Sequence, residues 1–96
     1  MKNRIAVLIP CFNEELTIPI VIQEFKLALP EARIYVYDNA SLDNTSGVAR
    51  EAGAEVYFEP NRGKGNVVKR MFANQQTHTI ISYEILPRNS ANLLVE

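Results

Sequence analysis

Three short segments of this chain gather side chains able to stack on, hydrogen-bond to and neutralise a charged ligand. They are Pro10-Cys11-Phe12-Asn13-Glu14-Glu15, Asp38-Asn39-Ala40-Ser41-Leu42-Asp43 and Asn61-Arg62-Gly63-Lys64-Gly65. Phe12 offers a flat ring for a planar base, with Asn13 and Glu14 beside it to bond sugar hydroxyls or base edges. The plainer reading packs Phe12 under a sheet edge and uses Asn13 to turn the chain. Asp38 carries an acceptor-only carboxylate suited to a base N–H or a ribose hydroxyl. It equally suits a turn aspartate ahead of a helix. Arg62 and Lys64 flank Gly63, and Gly65 opens a helix, so two cations and a positive helix terminus point to one place, an arrangement that fits a diphosphate. A solvated basic turn is the alternative. The run lacks the spacing of a Walker phosphate loop, and no dinucleotide fingerprint follows the first strand.

Each cluster follows a short apolar run, and those runs define the elements that must hold the clusters. Ile5-Ala6-Val7-Leu8-Ile9 is continuously apolar, as a strand covered on both faces is, and it is expected to end at Pro10. Ile18, Val21, Ile22, Phe25 and Leu29 fall on one helical face, with Thr17 placed to cap, Pro19 in the first turn and Pro30 as a stop. Ile34 to Tyr37 reads as a second strand before Asp38. A second helix is expected from about Asp43, its opening residue, to Ala52, closed by Gly53. Glu55-Val56-Tyr57-Phe58 reads as a third strand. Val67, Val68, Met71 and Phe72 form a stripe on a third helix ending near Asn74. Thr79 to Leu86 reads as a longer fourth strand, and Pro87 to Glu96 carries few structural signals. This alternation predicts an α/β fold: a three-layer, Rossmann-like half-domain with a mostly parallel sheet of about four strands and helices on both faces. All three clusters would then line the carboxyl edge of one sheet, where open α/β folds bind ligands.

With 96 residues the chain has room for one thin core. Its 47% hydrophobic and 22% charged residues, with a formal net charge of −1, are those of an ordinary globular protein, and no nucleic-acid footprint is indicated. No apolar run approaches the roughly 20 residues that span a bilayer, which predicts no transmembrane segment and a cytoplasmic location. Cys11 is the sole cysteine, so no internal disulfide can form, and a small buried residue is the safer reading of it than a reactive thiol. His78 has no partner set for catalysis or metal binding.

Ile5 to Asn74 resembles the opening of a family 2 glycosyltransferase of the GT-A fold, similar in pattern to polyprenyl- or dolichyl-phosphate sugar synthases. Pro10-Cys11-Phe12-Asn13-Glu14 matches a Pro-x-Tyr/Phe-Asn-Glu motif, Val36 to Thr45 a Val-Val-Asp-Asp-Gly-Ser-x-Asp-Gly-Thr segment, and Asn61 to Gly65 an Asn-x-Gly-Lys-Gly loop. The resemblance implies transfer of a sugar from a nucleoside diphosphate sugar, UDP- or GDP-linked. Pro10, Phe12 and Glu14 would border the nucleoside, Asp38 would contact the base and Lys64 would lie near the donor. Asn13, Asn39 and Arg62 complete the expected substrate-binding set.

Departures from the pattern carry their own expectations. Asn39 and Ala40 stand where Asp-Gly is usual, and Asn44 where Gly is usual. The family uses Mg²⁺ or Mn²⁺ held by an Asp-x-Asp motif after the third helix; here Ile80 to Ile85 fills that place, and Glu84 could supply one oxygen ligand at best. We therefore expect residues 1–76 to be the nucleotide-sugar-binding half of a truncated domain and 77–96 a divergent tail. No residue is assigned a catalytic or metal role, no cofactor is assigned to this chain, and the isolated chain is expected not to turn over. An interaction module that keeps the half-fold, or a small flavodoxin-like nucleotide binder, are the alternatives. The tail strand, with Glu84 as its only charge, is expected to pair between copies into a homo-oligomer.

Overall fold

The computed structural model describes residues 5–74 and 79–85. In chain order it runs β1 (Ile5–Cys11), α1 (Ile18–Ala28), β2 (Arg33–Asp38), α2 (Thr45–Glu51), β3 (Glu55–Phe58), α3 (Lys64–Asn74) and β4 (Thr79–Ser82). The four strands form one sheet in the order β3-β2-β1-β4, with every pairing parallel. The expected α/β half-domain is therefore the fold observed. His78 and residues 86–96, including Leu86 and Pro87, lie outside the described residues.

Period-two alternation divides β1 between two cores. Val7 and Ile9 face α1 and α2, packing with Ile18, Ile22, Val36 and Ala49. Ala6 and Leu8 face α3, packing with Tyr35, Tyr37, Val67 and Met71. Both faces of the central strands are thus covered, which is why β1 and β2 read as unbroken apolar or aromatic runs. On the α3 side, Tyr57 stacks against Tyr37 at 5.1 Å between ring centroids and against Tyr35 at 6.2 Å.

The elements differ from expectation at their ends, for identifiable reasons. β1 continues through Pro10 to Cys11, because β4 stops pairing at Leu8 and leaves β1 with one neighbour there, a position that tolerates a residue without an N–H. Thr17 precedes α1 with helical backbone angles and makes no side-chain cap. α2 starts at Thr45 rather than Asp43. It closes as expected at Gly53, whose φ is +103°: the Gly53 N–H donates to Arg50 O and the Ala54 N–H to Ala49 O, the paired bonds of a Schellman ending. β4 is half the expected length and ends at Ser82. After it the Tyr83 N–H still donates to Leu8 O at 3.0 Å.

Candidate functional site

The crossovers set the geometry of the site. From β1 the chain winds outward to β2 and β3, then α3 carries it back across the sheet to β4, on the other side of β1. The winding direction therefore reverses between β1 and β4, and the carboxyl ends of the strands beside such a reversal flank a crevice. A cavity of about 340 Å³ opens there, lined by Pro10, Cys11, Phe12 and Glu14 at and just after the end of β1, Asn39 just after β2, Arg62 to Lys64 and Val67 around the start of α3, and Glu84 and Ile85 after β4.

Of the eight residues expected at the site, six line this cavity: Pro10, Phe12, Glu14, Asn39, Arg62 and Lys64. Phe12 is 40% exposed, and the Arg62 guanidinium lies over its ring, 4.4 Å from the centroid, a cation–π contact across two of the clusters. Lys64 forms an ion pair with Glu84 at the cavity wall. The Asn39 side-chain oxygen is buried with no hydrogen-bond partner among the described residues, while its backbone N–H donates to Cys11 O at 2.8 Å. An orphaned acceptor in a cavity wall is where a ligand donor is rewarded.

Asn13 and Asp38 are placed differently. Asn13 sits at φ +54°, donates its N–H to Ser41 Oγ (2.8 Å) and accepts the Leu42 N–H on Oδ1 (2.8 Å). Asp38, 1% exposed, accepts the Ser41 N–H on Oδ1 (2.9 Å) and the Ser46 hydroxyl on Oδ2 (2.6 Å). Asn13 ties the first two loops together, whereas Asp38 closes its own loop onto the start of α2. Asp43 also ties the two loops, accepting the Glu15 N–H on Oδ2 (3.2 Å) and the Thr45 N–H on Oδ1 (3.0 Å). Burial pushes the Asp43 carboxyl up, but these bonds and one from the Thr45 hydroxyl outweigh it and hold the group below its ordinary value. Glu14 is pushed up, first by burial and then by the nearby Asp43 charge. Burial also pushes the Cys11 thiol well up, so it stays protonated and unreactive.

The third loop is braced by a pair the sequence did not single out. Glu59, almost fully buried, accepts the Asn61 N–H (2.8 Å) and pairs with Arg70 on α3 (3.1 Å). The Asn61 bond, and after it Arg70, hold the Glu59 carboxyl below its usual range against the opposing effect of burial. The signal available was an acid eleven residues before a base on the following helix, too common a pattern to be informative. Among the described residues no three His, Cys, Asp or Glu side chains converge to hold a divalent ion. The described residues do not fit a metal site.

A doubly wound parallel sheet with an aromatic, an amide and two cations around its switch-point crevice defines an open α/β domain of the Rossmann-like class, whose ligand sites fall at that edge. The chain belongs to Glycosyl transferase family 2, whose sequence model matches residues 6–82. Protein RfbJ of Shigella flexneri is 56% identical over 70 residues, covering 73% of this chain and 54% of RfbJ. An uncharacterized glycosyltransferase of Mycobacterium bovis is 42% identical over 67 residues, 69% of this chain and 29% of that protein. Among solved structures, glucosyl-3-phosphoglycerate synthase from Mycobacterium tuberculosis, in complex with Mn²⁺, UDP and phosphoglyceric acid, superposes with a TM-score of 0.73 at 26% identity, over 85% of this chain and 32% of that one. The same enzyme has been solved with UDP-glucose. The chain thus spans about half of RfbJ and about a third of the synthase. No helix among the described residues is long and apolar enough to cross a membrane.

Proposed function

We propose that the cavity at the β1/β4 reversal binds a nucleoside diphosphate sugar, as the donor-binding part of a glycosyltransferase. The observation that carries this reading is the convergence, on one crevice, of the unpaired Asn39 oxygen, the Phe12 ring and the Arg62 and Lys64 cations. Asn39 accepts a base N–H, Phe12 and Pro10 border the nucleoside, Glu14 accepts a sugar hydroxyl, and Arg62 and Lys64 neutralise the diphosphate. Asp38 and Asn13 hold the loop that presents Asn39. The synthase complexes with UDP and UDP-glucose support a uridine-linked donor. Residues 1–76 form the donor-binding half, residues 77–96 a divergent tail, and the working compartment is the cytoplasm, where a free buried thiol is at home. Copies associate through the free edge of β4.

Titration of the 96-residue chain with UDP, followed by amide NMR shifts, tests the site. Shifts concentrated at Phe12, Asn39 and residues 62–65, weakened severalfold by Lys64→Ala, are expected. If millimolar UDP leaves these residues unmoved, the reading fails.

A further inference from the structure

We propose that Glu84 is a built-in occupant of the anion subsite of this cavity, a carboxylate that sits where a ligand phosphate binds and must be displaced by it; this rests on the donor-binding reading above. Residues 83–85 are held at two points. The Tyr83 N–H donates to Leu8 O, and the Tyr83 ring packs edge-on against Phe25 of α1, 5.3 Å between centroids. Ile85 packs into the core on the same, α1-facing side. Two alternate residues are thus anchored on one side, and in extended chain the residue between them points to the other. That residue is Glu84. It lies in the cavity wall, paired with Lys64 at the start of α3.

Lys64 is about two-thirds exposed and Glu84 half exposed, so the pair is weak by the standard of buried ones and an incoming dianion can replace it. Among the described residues, the other cation lining the cavity is Arg62, stacked on Phe12. A ligand phosphate therefore reaches Lys64 by displacing Glu84, which tightens the demand on the rest of the ligand. A bare phosphate competes poorly with a tethered carboxylate of high effective concentration. A ligand that also fills the Phe12–Asn39 end gains the extra contacts needed to win.

The test uses the whole chain and inorganic pyrophosphate, read by calorimetry and by the Lys64 ammonium resonance. Glu84→Gln should bind pyrophosphate roughly threefold to fivefold more tightly than the parent at low salt, with the gain shrinking as salt rises. Glu84→Ala should behave alike. In a Lys64→Ala background the gain should vanish. Equal or weaker binding by both Glu84 variants overturns the proposal. So does a gain that survives without Lys64, which would mark a general charge effect, or a loss seen only with added Mg²⁺, which would make Glu84 a cation ligand. If the Glu84 variants gain affinity but UDP binds no more tightly than pyrophosphate, the occupant stands and the nucleotide reading falls.

Discussion

Asp38 and Lys64 carry charges of opposite sign, yet their truncations should fail in different ways. Asp38 is buried and both its oxygens accept hydrogen bonds from the loop it closes. Asp38→Ala leaves the Ser41 N–H and Ser46 hydroxyl without their acceptor and should cost about 2–3 kcal/mol in chemical denaturation. Lys64→Ala removes a half-exposed ion pair and should change stability by less than about 0.5 kcal/mol while weakening UDP binding. Ala40 holds φ at +63°, a left-handed conformation that a side chain resists, at a position where the family pattern carries glycine. Ala40→Gly should therefore raise stability or leave it unchanged, by up to about 1 kcal/mol, the opposite of the usual result for a loop glycine. The denaturation midpoint with an unchanged slope is the measurement.

At the scale of elements, acid should unpick the loops before the sheet. Asp43 and Glu59 have folded-state values below their ordinary ones, so each contributes stability that is complete above its unfolded value near pH 4 and is lost as pH falls through the lowered one. Glu14, pushed up, works in the other direction and gains a proton early. Thermal melts from pH 7 to 3 should show a decline below about pH 4.5 that is shallower in Asp43→Asn and Glu59→Gln. The elements themselves were largely legible. The limits of β3 and the closing of α2 at Gly53 follow from residue type, because a Schellman ending needs a residue that accepts positive φ. The length of β4 did not follow, since Thr79 to Leu86 is uniformly strand-like and only its register against Ile5–Leu8 decides where pairing ends. The Lys64–Glu84 pair likewise joins residues twenty positions apart and is invisible to any local pattern. Motif spacing found the cavity's polar residues, but it could not separate Asn39, which lines the wall, from Asp38, which faces inward to its own loop.

For the whole molecule, the sheet is covered on both faces but leaves β4 with a free edge among the described residues. Ile80 and Ile81 pack inward on opposite faces, so the edge itself is presented beside exposed Thr79 and Ser82. Two such edges brought together in a dimer would complete each other's hydrogen bonds. Light scattering over a concentration series should show a dimer, and Thr79→Lys with Ser82→Lys, which leaves both cores intact, should return the mass to that of a monomer; a monomer at high micromolar concentration in the parent would refute the association. The rim above the sheet has a different character. Five hydrogen bonds join residues 13–15 to residues 41–45 across 28 to 31 positions of sequence, so two surface loops are sewn into one piece that neither can leave alone. The amides of Asn13, Glu14, Leu42 and Asn44 should therefore exchange with deuterium slowly and at one common rate, as a single opening event, while the amides of residues 62–65 across the cavity exchange on their own clock. The ligand would meet one fixed wall and one independently adjustable wall.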